Sequence, residues 1–289
     1  MYIESLSLLT AFCYGLSHVL VRMGIRNSNP LTATLITSLI QVLIMSGMLL
    51  FSPPSQLIWT GIALFAASGI LASTLGRLFN YMSIARLGVP TSASIVGSNP
   101  VFSMFFAVFL VGEEITGSIL IGTMLVVIGV ALITSGNRGG RFSLKKTAVL
   151  LPLLSAIFYG ASAPVRKIGL SLLPEPILGA LVGSAVTLVI FSVAGISPGN
   201  TQTKVRLHRG GIGYFTMGGV ALSLGWVCMF TALLAGKVSV VSTIIGTNPL
   251  FSLLLSLILL RSSEKINNRV IAGCLVIVAG VSVVTLGPL

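Results

Sequence analysis

The chain is 289 residues long, 55% hydrophobic and only 8% charged, with a mean hydropathy of +1.06. Soluble domains carry about a quarter charged residues, so this composition excludes that class and marks an integral membrane protein. The formal net charge of +12 does not point to nucleic acid, because the basic residues lie in short gaps between apolar runs, where they set topology.

Ten segments are long and apolar enough to span a bilayer, at about 5–24, 31–51, 57–78, 89–111, 117–136, 147–170, 176–196, 211–234, 239–260 and 268–287. This predicts an all-α integral membrane fold. The first run opens on Glu4 rather than a basic leader, and its length suits a spanning helix better than a secretory signal. Most gaps are short and rich in Pro, Asn and Ser, as at 27–30, 52–55 and 174–176. Two are longer and basic, 137–146 and 197–210. The first of them divides the chain into a five-helix repeat over 1–136, a linker over 137–146 and a second five-helix repeat over 147–289.

Segment 1 places Tyr14, His18 and Arg22 on one helical face at four-residue steps. His18 lies two turns inside and is a candidate for substrate contact or proton carriage. Arg22, a turn from the helix end, is placed to snorkel to the interface. Segment 3 holds Arg77, with Thr74, Asn80 and Tyr81 on the same face. An arginine inside a membrane costs at least about 2.5–3.5 kcal/mol on insertion scales, so it faces a cavity or a partner. If segment 3 runs unbroken over about 57–86, Arg77, Asn80 and Tyr81 form a polar cavity wall. If it stops near Leu78, Arg77 marks the membrane border.

Segment 4 contains Gly97-Ser98-Asn99-Pro100-Val101-Phe102-Ser103, which returns in segment 9 as Gly246-Thr247-Asn248-Pro249-Leu250-Phe251-Ser252, 149 residues on. Proline removes a backbone donor and clashes with the preceding turn, and matched interruptions in two halves mark a transporter's binding region. Pro100 and Pro249 are therefore expected helix breaks or gates. Asn99 and Asn248 either satisfy backbone groups that the prolines free or line a cavity, and the two roles are compatible.

In segment 6, Tyr159 and Lys167 share a face with Ser155 and Ala163. In segment 8 the counterparts of Arg77, Asn80 and Tyr81 are Trp226, Met229 and Phe230, so one half offers a polar wall and the other an aromatic one. Gly122 with Gly129, and Gly273 with Gly280, give segments 5 and 10 small faces suited to close helix contact. Those faces are expected to serve as scaffold or as a homodimer contact.

The halves repeat one another. Tyr14, Gly15, Ser17, Arg22 and Gly24 recur as Tyr159, Gly160, Ser162, Lys167 and Gly169, and Glu114, Gly122, Gly129 and Thr134 recur as Glu264, Gly273, Gly280 and Thr285. Five spans is an odd number, so the second copy crosses the membrane in the opposite sense. With Leu87-Gly88, Asn99-Pro100, Val111-Gly112-Glu113-Glu114 and the run from Gly122 to Gly129, and a looser Arg261-Ser262-Ser263-Glu264 in the second half, the chain resembles the EamA-type drug/metabolite transporters over nearly its whole length. The resemblance implies ten helices in two inverted five-helix repeats, and carrier transport of small organic solutes, often export. It names no substrate.

Thirteen Lys and Arg lie in gaps 1–2, 3–4, 5–6, 7–8 and 9–10; three, Arg166, Lys167 and Lys237, are assigned to the opposite side. This bias places both termini outside, whereas the resemblance implies both inside. The five acids sit at segment ends or in gaps, so an intramembrane arginine is better satisfied by an anionic group on the substrate. A carboxylate-bearing or zwitterionic metabolite is expected, amino acids among them. The sequence has no Cys/His metal spacing, no phosphate-cradling glycine loop and no Ser-His-acid set, so neither cofactor, metal nor enzyme activity is expected. Cys13, Cys228 and Cys274 read as small hydrophobes. The alternatives are a receptor or scaffold without transport, and a carrier of neutral or cationic drug-like compounds. The expected partners are the lipid bilayer and a small solute, not nucleic acid.

Overall fold

Helices form where the apolar runs predict them, and they pack largely by seating aromatic side chains and neighbouring backbone on glycine. The computed structural model describes residues 2–25, 28–87, 92, 95–136, 146–196, 209–259 and 268–286. Among these, nine helices have the length and hydropathy to cross a membrane, and Asn99–Val111 is a shorter apolar helix. Most of the first part of segment 4 lies outside the described residues, as does the linker up to residue 145.

Segment 1 is Tyr2–Ile25 and segment 2 is Pro30–Phe51. Asn29 caps segment 2 by accepting the Thr32 N–H at 2.9 Å, and Pro30 occupies the first turn, where no intrahelical donor is needed. Segments 5, 6, 7, 8 and 10 are Gly117–Gly136, Lys146–Leu172, Pro176–Ile196, Arg209–Ala235 and Asn268–Leu286.

The halves interlock by exchanging contacts. Segment 1 packs on segments 8 and 9, while segment 6 packs on segments 3 and 4. Lipid gives helices no hydrophobic reason to associate, so close approach through small residues must supply the packing. Gly15 receives Phe251 and its counterpart Gly160 receives Phe102; Gly24 receives Phe215 and its counterpart Gly169 receives Phe65. Each contact occurs twice, once in each sense, which is the signature of two inverted repeats. Segments 5 and 10 close on each other: a β-carbon on Gly129 would stand 2.7 Å from the Gly273 carbonyl oxygen, and one on Gly280 would stand 2.8 Å from that of Gly122. Their small faces are thus used within the chain. A homodimer through these helices would have to use their other faces.

Segment 3 is helical from Trp59 to Leu87, but not uniformly. Trp59–Gly69 is α-helical, Ile70–Gly76 is wound as a π-helix, and Arg77–Leu87 is α-helical again. The Arg77 N–H reaches the Ala72 carbonyl five residues back as well as that of Thr74. Arg77 therefore stands inside a continuous helix, ten residues before its end, as the unbroken reading of the sequence requires. Such π-wound turns recur at functional sites. The counterpart, segment 8, is α-helical throughout.

A bundle framed by two broken helices

Segment 9 consists of Val238–Ile245 and Asn248–Leu259, separated by a turn at Gly246 and Thr247. Segment 4 turns in the same way at Gly97 and Ser98 before Asn99–Val111. The proline in each break deprives one carbonyl of its helical donor: that of Val96, four residues before Pro100, and that of Ile245, four before Pro249. The neighbouring asparagine replaces it. Asn99 Nδ2 donates to Val96 O at 3.1 Å, and Asn248 Nδ2 donates to Ile245 O at 3.1 Å. One N–H of each asparagine side chain is thereby committed to the backbone. The two segments are further tied by Ser103 Oγ to Ser242 Oγ at 2.7 Å.

Candidate functional site

The inner face of segment 1 changes character along its length. Ser7, Ala11 and Gly15 are buried and Tyr14 is half-buried, yet His18 and Arg22 on the same face are exposed. Leu8, Leu9 and Phe12 are exposed on the opposite side of the helix, at about 100° per residue. The bundle is therefore closed around the first half of segment 1 and open around the second. The open end is that of gaps 1–2 and 3–4, the side of the basic loops.

Arg77, Asn80 and Tyr159 line this end, all half-buried. Asn80 Oδ1 accepts from Ser92 Oγ at 3.1 Å, joining segments 3 and 4. Tyr81 follows on the same helix, with its side chain outside the described residues. Segment 6 grips the π-to-α junction. Ser155 Oγ donates to Gly76 O at 2.7 Å, the Tyr159 ring lies on Gly76, and Phe158 stacks on Phe79 with centroids 5.6 Å apart. Thr74 Oγ1, buried in the π-wound stretch, has no hydrogen-bond partner.

At the closed end stands an arginine of segment 6 whose charge the topology count credits to the side opposite the basic loops. Arg166 is 5% exposed, six residues inside the end of segment 6. Its guanidinium carbon lies 5.4 Å from the Trp226 ring centroid and 5.6 Å from that of Phe230, within cation–π range. Arg166 Nη1 contacts Met229 Sδ at 3.5 Å, and Tyr14 Oη donates to the same sulfur at 3.3 Å. Arg166 Nε has no partner. The structure thus gathers Tyr14, Arg166, Trp226, Met229 and Phe230 into one cluster, with the Tyr14 ring against Gly225. Arg166 was legible as an intramembrane charge, since segment 6 extends past it. Counting it toward the topology bias hid it.

Lys167 has a different role from its neighbour. Its Nζ donates to Leu233 O, Leu234 O and Gly236 O at 2.7, 3.1 and 3.0 Å, capping the C-terminus of segment 8, where the helix dipole favours a cation. Glu113 completes the clamp. Its carboxylate accepts from the Val238 N–H, from Ser239 N at 3.0 Å and from Ser239 Oγ at 2.8 Å, at the start of segment 9. The 8–9 turn is held by a cation on its carbonyls and an anion on its amides. Glu175 Oε1 likewise accepts from Ser55 N at 2.9 Å and Oγ at 2.8 Å. Glu113 and Glu175 each bind across the two halves, and both do so on the closed side. With Arg166 buried and Lys167 capping a helix, Lys237 is what remains of the three charges assigned to that side.

Helices that cross a membrane in two interlocked, inverted repeats, each carrying one broken helix, define a multi-pass membrane protein of transporter type. The model of the EamA-like transporter family matches residues 1–135 and 146–286, and the chain belongs to that family. An uncharacterized transporter of Archaeoglobus fulgidus is 24% identical over 285 residues, which cover 98% of each chain. A protein of known crystal structure shares the fold with a TM-score of 0.82 at 16% identity, covering 98% of this chain and 96% of the other.

Proposed function

We propose that the protein is a secondary carrier of small carboxylate-bearing organic solutes, amino acids among the candidates, that works by alternating access of its two repeats and moves solute outward. The observation that carries this is the charge of the interior: Arg77 and Arg166 enter the bundle, and no acidic side chain contacts either among the described residues. A carrier of cationic drugs needs the opposite arrangement, because a buried cation is satisfied by a carboxylate.

The same asymmetry supports a carrier cycle. The bundle is open at the basic-loop end and latched at the other by Glu113 and Glu175 across the halves. An inverted repeat reaches the reverse state by exchanging the environments of its halves, which requires these latches to open. If the basic loops face the cytoplasm, as their charge favours, the open end loads from there and both termini lie outside. Uptake of radiolabelled carboxylates into proteoliposomes tests the reading. Saturable uptake that depends on the protein supports it, and saturable uptake confined to cationic compounds rejects it.

A further inference from the structure

We propose that Arg166 is the anion anchor of the binding site, and that its ligand is an organic acid that carries no ammonium group rather than a zwitterion. This rests on the carrier reading above and narrows its ligand. The guanidinium presents five N–H donors in a planar fork. Here it meets two aromatic faces and a thioether sulfur, which can hold the plane but offer no oxygen acceptor. Nε is orphaned in a side chain that is 5% exposed. A buried arginine without an acceptor is costly, and a carboxylate arriving on a ligand removes that cost through charge-assisted, bidentate bonds. Tyr14 is placed to assist, because its hydroxyl already shares the Met229 sulfur with Arg166.

The surrounding charge decides between anion and zwitterion. Tyr14 lies within electrostatic range of both Arg166 and Arg77, and His18 within range of Arg77. Of the acids at the closed end, Glu113 and Glu175 are bound to Val238, Ser239 and Ser55, and Glu4 lies ten residues before Tyr14 on segment 1, about 15 Å along the helix. An α-ammonium beside the anchor meets arginine, with no carboxylate in contact with Arg166 among the described residues. A second anionic group meets Arg77. The aromatic wall of segment 8 flanks the anchor and suits an apolar body.

Thermal stability of the purified protein in detergent tests this with matched probes: 3-phenylpropionate against phenylalanine, and succinate against aspartate, each pair differing by one ammonium. The acids should raise the melting temperature of the wild type and their amino counterparts should not. Arg166→Met should abolish the response while melting no lower than the unliganded wild type, since an apolar chain replaces an unpaired buried charge. Arg166→Lys should weaken the acid's affinity about tenfold or more through loss of the fork. Equal responses to phenylalanine and 3-phenylpropionate would overturn the anion selectivity and leave the carboxylate carrier standing. A full response in Arg166→Met, or unchanged affinity in Arg166→Lys should the Met variant fail to fold, would overturn the anchor. No response of the wild type to any acid or amino acid would remove both this proposal and the carrier reading beneath it.

Discussion

The pyrrolidine ring of Pro100 lies directly against Gly246, so the helix break of one half touches the turn of the other. A β-carbon on Gly246 would stand 2.8 Å from Pro100 Cγ and 3.0 Å from Thr243 O. Any side chain there must push the two breaks apart. Gly246→Val is expected to cost about 1–3 kcal/mol, the usual range for overpacking, and to slow transport beyond any loss of protein inserted in the membrane. Uptake normalised to the amount of reconstituted protein measures this; wild-type rates in Gly246→Val would show that the contact is not part of the moving frame.

The asparagine beside each proline acts as a substitute donor, and this can be separated from a role in ligand binding. Asn99→Ala leaves the Val96 carbonyl without a partner and should destabilise the protein by about 1–3 kcal/mol. Pro100→Ala restores a backbone amide facing that carbonyl. The double variant should therefore regain stability lost in the single one, a coupling that a double-mutant cycle measures directly. Independent, additive losses would contradict the substitution account.

Lys167 is expected to matter for stability and not for selectivity. Lys167→Met removes three bonds to the end of segment 8 and should cost about 1–2 kcal/mol, with the ranking of transported solutes unchanged. A competition assay against a panel of acids reads the ranking. A reordered panel would return Lys167 to the binding site.

Glu113 is expected to hold the closed side shut. In a Cys13→Ser, Cys274→Ser background, Glu113→Gln should raise labelling of Cys228 by a membrane-impermeant maleimide several-fold, because Cys228 is only 6% exposed in the closed arrangement. Unchanged labelling would mean that the carboxylate is a helix cap and nothing more.

The frame of this fold is written plainly in the sequence, and its irregularities are not. The repeated Asn-Pro motif and the paired glycines each report a backbone requirement that residue type alone expresses, a missing donor in one case and a missing side chain in the other. The π-wound turn before Arg77 has no such mark. Its end coincides with the grip of Ser155, Phe158 and Tyr159 of segment 6 on the junction, a contact across 79 residues between Ser155 and Gly76. Lys167 and Arg166 show the same limit from the other side. They are adjacent in sequence and similar in charge, yet helical rotation sends one to the carbonyls of segment 8 and the other between Trp226 and Phe230. Which of two neighbouring cations is left without an oxygen acceptor is a property of the helices packed around them. The resemblance in sequence to a transporter family carried the architecture but not that choice.

The most direct test of the central claim is exchange in proteoliposomes. Vesicles holding the purified protein are loaded with unlabelled 3-phenylpropionate and given the radiolabelled compound outside. An alternating-access carrier returns loaded faster than empty, so internal solute should accelerate entry of the label, with saturation at high external concentration. Entry that is linear in concentration and indifferent to internal solute would contradict the account.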